Sequence, residues 1–88
     1  MSWDYRLSDE AAKQLRRLPR DRQEQIAAVL EAMKEDPLRG DVLPLRSARL
    51  KGALRRRIGR YRIIFSLSPS ERLIDIGAIL PRSEKTYR

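Results

Sequence analysis

Apolar and polar side chains alternate through residues 54–67, on both sides of Gly59. Because successive side chains of a β-strand point to opposite faces, this pattern predicts two strands joined near the glycine. Arg55 and Arg57 then share one face of the first strand, and Arg62 lies on the polar side of the second. Cations at central strand positions are unusual in a core, so the pattern favours a surface that holds an anion.

Two helices are predicted before this stretch. The first begins after Ser8, a favourable N-cap, and ends at Pro19. The second begins at Asp21, where Asp21 and Glu24 resemble a capping box, and ends just before Pro37. Each has an apolar stripe at helical spacing: Ala11, Leu15 and Leu18 in the first, and Ile26, Val29, Leu30 and Met33 in the second.

The remaining alternation completes the predicted fold. Residues 3–7 read as a first strand, and Leu43 and Leu45 could anchor a short edge strand. Residues 72–80 read as a last strand whose apolar face is expected to carry Ile74, Ile76, Ala78 and Leu80. The order β-α-α-β-β-β predicts an α+β fold, with a helical hairpin packed on one face of a small antiparallel β-sheet. We expect residues 1–88 to form a single domain.

Composition narrows the possible chemistry. The chain has no cysteine and no histidine, which excludes a thiol nucleophile, a disulfide framework and a Ser-His-Asp arrangement. We therefore expect no metal site and no other cofactor. No apolar run approaches the roughly 20 residues of a membrane span, and the N-terminus lacks the apolar region of a signal peptide. We expect a cytoplasmic protein with no membrane partner.

The positive charge is concentrated in one half of the chain. Residues 1–41 hold eight Lys/Arg and nine Asp/Glu, whereas residues 42–88 hold twelve and three. The whole net charge of +8 therefore comes from the second half. Such a one-sided basic field, rich in arginine, is typical of proteins that bind nucleic acid or another polyanion.

These cations define a candidate site for a phosphodiester. Its members are Arg55, Arg57, Arg62 and Arg82, with Lys51, Lys85 and Tyr87 within reach along the sequence. Such a cluster can hold a phosphodiester and stabilise the charge that develops on it in a transition state. RNA supplies its own nucleophile, the 2′-hydroxyl, so cleavage by internal attack needs neither a metal nor a histidine. Arg56 is expected towards the helix-covered face in a structural role, as a snorkelling side chain or in a salt bridge to a helix carboxylate. Arg60 is expected in the turn.

Several segments resemble one known family. The motif R-x-R-x-G-x-Y-R-I-I-F at residues 55–65 resembles the central motif of the RelE/ParE toxins of toxin–antitoxin systems. K-Q-L-R-R-L-P at residues 13–19 resembles the end of that family's first helix, and D-P at residues 36–37 the break after its second. P-R-S-E-K-T-Y at residues 81–87 resembles its closing tail.

The resemblance implies a function and roles for individual residues. The RelE branch, which the tail residues Arg82 and Tyr87 favour for this chain, cleaves mRNA in the ribosomal A site. The ParE branch, the alternative, has much the same fold and poisons DNA gyrase. By resemblance, Arg62 would hold the phosphate. Arg82 would stabilise charge or donate a proton to the 5′ leaving oxygen, and Tyr87 would stack on a base or take part in proton transfer. Implied partners are a cognate antitoxin, acidic or amphipathic, and the ribosome with its mRNA.

Two positions depart from the ribonucleolytic pattern. Arg55 and Ala53 stand where some such members carry lysines. Arginine, with a pKa above about 12, is a poor general base at neutral pH. Either another group takes the proton, with Lys51, Glu84, Lys85 and Tyr87 as local candidates, or electrostatics alone drive a slow enzyme. The departures are also consistent with a gyrase inhibitor without catalytic activity, and with a non-toxic relative that only binds a partner.

Overall fold

The computed structural model describes residues 2–45 and 52–81 of the chain. Two helices and five strands follow one another in the order β-α-α-β-β-β-β. Their bounds are β1 Asp4–Leu7, α1 Asp9–Arg16, α2 Arg20–Met33, β2 Val42–Pro44, β3 Leu54–Ile58, β4 Tyr61–Ser68 and β5 Leu73–Pro81.

All five strands form one sheet in the order β1-β5-β4-β3-β2. The three pairings from β5 to β2 are antiparallel, and β1 lies parallel to β5 at one edge. The predicted α+β class, with a helical hairpin on one face, is confirmed. The parallel edge makes the sheet mixed, and the short strand suggested near Leu43 forms the opposite edge as β2.

The start of α1 follows the prediction, and the start of α2 does not. Ser8 caps α1 by accepting a hydrogen bond from the Ala11 N–H, at 3.0 Å. The expected capping box of Asp21 with Glu24 is wrong: α2 begins one residue earlier, after Pro19, without a side-chain cap. The Asp21 carboxylate instead accepts a bond from the adjacent Arg22 N–H. Proline at this position already sets an extended entry into the helix.

The core lies between the helices and the sheet. Its buried side chains are Ala11, Ile26, Leu30, Met33, Ile58, Ile63, Phe65, Ile74, Ile76 and Ile79. Burying each large apolar side chain contributes about 1.5–3 kcal/mol, which makes this layer the main source of stability. Within the described ranges no polar or charged residue is fully buried. Neither described helix has the length and apolar character needed to span a membrane.

A β-bulge at Gly77 corrects the predicted face of the last strand. Ile64 pairs with Ala78, and the next residue, Phe65, pairs with Ile76, so β5 has one more residue than β4 at this point. The bulge reverses the alternation. Ile79 therefore enters the core, and the prediction that Ala78 and Leu80 share a face with Ile74 and Ile76 is wrong.

Helix α1 fixes this bulge through two side chains. The Ser8 hydroxyl donates to the Gly77 carbonyl oxygen at 2.9 Å, and the Ile79 N–H donates to Gln14 Oε1 at 2.6 Å. Both contacts give main-chain groups at or next to the bulge a side-chain partner on the helix layer. The shift of register, and with it the composition of both sheet faces, is therefore tied to the helix layer.

Candidate functional site

Three arginines lie on the sheet face turned away from the helices, which we call the open face. In the register of β3 and β4, Arg57 is opposite Arg62, and Arg55 is opposite Ile64. The alternate positions of the same strands pair Arg56 with the buried Ile63 on the helix-covered face. The alternation in the sequence therefore placed Arg55, Arg57 and Arg62 on the correct face.

The opposition of Arg57 and Arg62 is the main electrostatic feature of this face. Like charges directly opposite each other across two strands destabilise a sheet. Arg62 is half-buried, and the side chain of Arg55 is only 14% exposed. A small sheet that concentrates guanidinium groups in this way is suited to bind an anion, because a shared anion offsets the repulsion between them.

Asp41 supplies a carboxylate beside these arginines. Its Oδ1 is 3.5 Å from Arg55 Nη1, and its Oδ2 is 3.8 Å from Arg57 Nε. The Arg57 N–H also donates to the Asp41 main-chain carbonyl, at 3.0 Å. Sequence reasoning missed Asp41, since its position depends on the register of β2, in which Val42 pairs with Arg56.

Arg56 has a structural role on the other face. Its guanidinium donates to the Arg39 carbonyl oxygen, in the loop that follows α2. Gly40 lies against the same group with φ at +97°, and a Cβ there would collide with the Arg56 guanidinium. The expected structural role agrees with this contact, although the partner is a main-chain carbonyl rather than a helix carboxylate.

A shallow cavity of about 420 Å³ lies on the open face, between Ala53 just before β3 and Arg6 on β1. Ala53, Ile64 and Ser66 line it, and Ile64 lies in register with Arg55. At the far side, Arg6 and Asp75 form a cross-strand ion pair of 2.7 Å. The open face thus combines a cationic end with an apolar middle.

The other predicted site residues are distributed as follows. Arg60 is exposed in the turn between β3 and β4, as expected, and Tyr61 packs against the core. Four predicted members lie outside the described residues: Lys51, Arg82, Lys85 and Tyr87. The two lysines in the described ranges, Lys13 and Lys34, belong to α1 and the C-cap of α2. The same ranges contain no group of three or more carboxylates that could hold a metal ion.

The architecture matches that of solved toxins. The toxin–antitoxin complex RelBE2 from Mycobacterium tuberculosis contains a chain that superposes with a TM-score of 0.84 at 23% identity, covering 93% of this chain and all of that one. A chain of the archaeal RelE–RelB complex from Pyrococcus horikoshii gives 0.80 at 22% identity, over 96% and 99% of the two chains. The isolated RelE toxin of E. coli gives 0.72 at 13% identity, over 96% and 88%. These likenesses define a RelE-like fold.

Sequence similarity then gives the family. Residues 5–86 match the family described as ParE toxin of type II toxin-antitoxin system, parDE. The chain therefore belongs to this family of toxins, and the predicted RelE/ParE superfamily is confirmed. Among curated proteins, none shows significant sequence similarity to this chain.

Proposed function

We propose that this toxin inhibits translation by cleaving mRNA on the ribosome. The observation that supports the proposal is the cluster of Arg55, Arg57 and Arg62 on the open face, with Arg57 and Arg62 directly opposite each other. Guanidinium groups bind phosphate oxygens through paired hydrogen bonds and hold charge without changing protonation. The cluster is therefore suited to bind a phosphodiester and to stabilise the additional negative charge of its transition state.

In this proposal the RNA provides the nucleophile. The 2′-hydroxyl attacks the adjacent phosphorus, the bond to the 5′ oxygen breaks, and the products are a 2′,3′-cyclic phosphate and a 5′-hydroxyl. Arg62 holds the phosphate, Arg55 stabilises the developing charge, and Arg57 binds the RNA beside them. Arg82 stabilises or protonates the leaving oxygen, while Tyr87 stacks on a base or transfers a proton. Lys51 and Lys85 add contacts to the RNA backbone.

The mechanism also needs a group that accepts the proton of the 2′-hydroxyl. Within the described ranges both lysines lie on the helix layer, whereas the cations of the cluster on the open face are the arginines Arg55, Arg57 and Arg62. The acceptor is then one of Lys51, Glu84, Lys85 and Tyr87, or solvent water takes the proton and the reaction depends on electrostatic stabilisation with slow turnover.

A second candidate function is inhibition of DNA gyrase without catalysis. Two observations favour it: the matching family is described by ParE, and arginine and alanine occupy positions 55 and 53. In that case the basic open face would serve to bind gyrase or its DNA.

For either function we propose a cognate antitoxin as partner. Several similar structures are complexes of a toxin with its antitoxin. The open face combines the arginines with apolar groups such as Leu43, which is 51% exposed and in register with Arg55. An acidic, amphipathic segment of the antitoxin would neutralise the arginines and cover the apolar groups.

One experiment separates the two functions. The protein is added to a translation system, and mRNA ends are mapped by primer extension. New 5′ ends within codons, present only on translated message, are expected for the ribonuclease. Intact mRNA, together with double-strand DNA breaks in cells that express the protein, would reject mRNA cleavage and support inhibition of gyrase.

A further inference from the structure

The carboxylate of Asp41 lies where an anionic ligand of the arginines would lie. Each of its oxygens faces a different guanidinium, at 3.5 Å from Arg55 and 3.8 Å from Arg57. A phosphodiester presents its two non-bridging oxygens in a comparable arrangement. The side chain of Asp41 is 50% exposed, so this position is open to solvent and to a ligand.

The main chain holds Asp41 in this place. Gly40 forms a tight turn with φ at +97°, in which the Val42 N–H donates to the Gly40 carbonyl at 2.9 Å. The Arg57 N–H binds the Asp41 carbonyl, and Arg56 holds the preceding loop at Arg39. The carboxylate is thus presented by a turn that is bonded to β3.

The side-chain contacts themselves are weak. Distances of 3.5 and 3.8 Å are longer than the roughly 2.7–2.9 Å of a charge-assisted hydrogen bond. The side chains of Asp41 and Arg57 are 50% and 42% exposed, and Arg55, at 14%, pairs with the same solvent-screened carboxylate. Ion pairs of this length on a solvent-screened carboxylate contribute about 0–1 kcal/mol. A phosphate group that reaches hydrogen-bond distance of both guanidinium groups would therefore displace the carboxylate, while the turn stays in place.

We propose that Asp41 is an internal anion that occupies the phosphate position of Arg55 and Arg57 and lowers the affinity of the open face for RNA. The inference rests on the proposed RNA-binding function and adds the residue that sets the affinity for RNA. With Asp41 in place, the arginines remain aligned and partly neutralised until a phosphate displaces it. A free polyanion that makes no further contacts is then bound weakly, whereas an RNA that other contacts position on the open face is bound well.

The test measures binding of a labelled single-stranded RNA to the purified full-length chain by fluorescence anisotropy over a range of salt concentrations. Asp41→Asn removes the negative charge and keeps the main-chain carbonyl that Arg57 binds. We expect it to tighten binding roughly three- to tenfold at low salt, which corresponds to the loss of two weak competing ion pairs. Glu24→Gln, on α2 across the sheet, makes the same change in net charge and should alter affinity less than about twofold.

A double-mutant cycle separates competition from a general charge effect. In a chain that carries Arg55→Ala and Arg57→Ala, Asp41→Asn should act no more strongly than Glu24→Gln. Circular dichroism checks that each variant is folded, and Asp41→Ser takes the place of Asp41→Asn if the latter does not fold.

Two results would overturn the inference and leave RNA binding intact. Weaker binding by Asp41→Asn would mean that the carboxylate positions the arginines rather than competing with RNA. An effect equal to that of Glu24→Gln would mean that only net charge matters. If neither the unmodified chain nor any variant binds RNA, the inference fails, and the mapping of mRNA ends in the translation system decides separately on the proposed ribonuclease function.

Discussion

Gln14 on α1 accepts a hydrogen bond from the main-chain N–H of Ile79 on β5, with 2.6 Å between Oε1 and N. The contact lies two residues beyond the bulge at Gly77, where β5 changes the face to which its side chains point. The Gln14 amide nitrogen donates in turn to Glu10, one helical turn earlier, at 3.1 Å. A polar side chain of the helix thus fixes the strand position from which Ile79 enters the core.

Gln14→Ala should destabilise the protein by about 1–3 kcal/mol, because it leaves a partly buried N–H without its acceptor. Chemical denaturation followed by circular dichroism measures the change. Gln25→Ala is the matched control, since Gln25 is exposed on α2 and its loss should cost less than about 0.5 kcal/mol. Equal effects of the two substitutions would show that the bulge does not depend on Gln14.

Arg56 and Arg57 are neighbours in sequence on opposite faces, and their substitution should have opposite consequences. Arg56→Ala removes the bond to Arg39 in the loop after α2, and we expect a loss of about 1.5–3 kcal/mol of stability. Arg57→Ala loses a weak ion pair and relieves repulsion from Arg62, so its stability should stay within about 0.5 kcal/mol. Only Arg57→Ala should weaken RNA binding while the protein remains folded. If Arg57→Ala lost stability, and Arg56→Ala stayed stable but bound RNA more weakly, the faces described above would be contradicted.

Arg62→Ala should abolish toxicity in cells without unfolding the protein, and Arg82→Ala should do the same. Loss of one group that stabilises a developing negative charge lowers a reaction rate by roughly 100-fold or more. Arg60→Ala is the control, because it removes the same charge from the exposed turn next to Arg62. Growth after induced expression gives the comparison. Full toxicity of both Arg62→Ala and Arg82→Ala would place the site elsewhere on the molecule.

Tyr5 should confer a pH dependence on stability in the alkaline range. Burial raises the pKa of the Tyr5 phenol above its ordinary value of 10, and Glu31, at 3.4 Å from the hydroxyl, raises it further. Because the folded-state pKa lies above the unfolded one, this stabilisation is present at neutral pH and is lost as the pH rises through the folded value. Tyr5→Phe should remove one phenolate step from an absorbance titration and make the loss of stability above pH 10 less steep. An equally steep loss of stability above pH 10 in Tyr5→Phe and in the unmodified protein would contradict the prediction.

Local patterns in the sequence were enough for the fold class and for the face of each arginine. Ser8 caps α1 as predicted, and the alternation around Gly59 separates Arg55 and Arg57 from Arg56. These features depend on neighbours within a few residues. Once a strand or helix is assigned, the regular repeat of its side-chain directions therefore determines which residues share a face.

The features that were missed depend on contacts between distant segments. The bulge at Gly77 had one local signal, a glycine inside a strand pattern, but its effect on Ala78 and Ile79 is fixed by Ser8 and Gln14 on α1. The place of Asp41 depends on the pairing of a three-residue edge strand, whose register no repeating pattern specifies.

The parallel pairing of β1 with β5 governs when the protein can fold during its own synthesis. Arg6 and Asp75, which join these strands, are 69 positions apart in the chain. Strand β1 leaves the ribosome first and must wait for the last described strand, since among the described strands its only neighbour is β5. A chain interrupted before residue 73 therefore has an unfinished sheet, and the open face of the toxin is complete only after β5 has been synthesised.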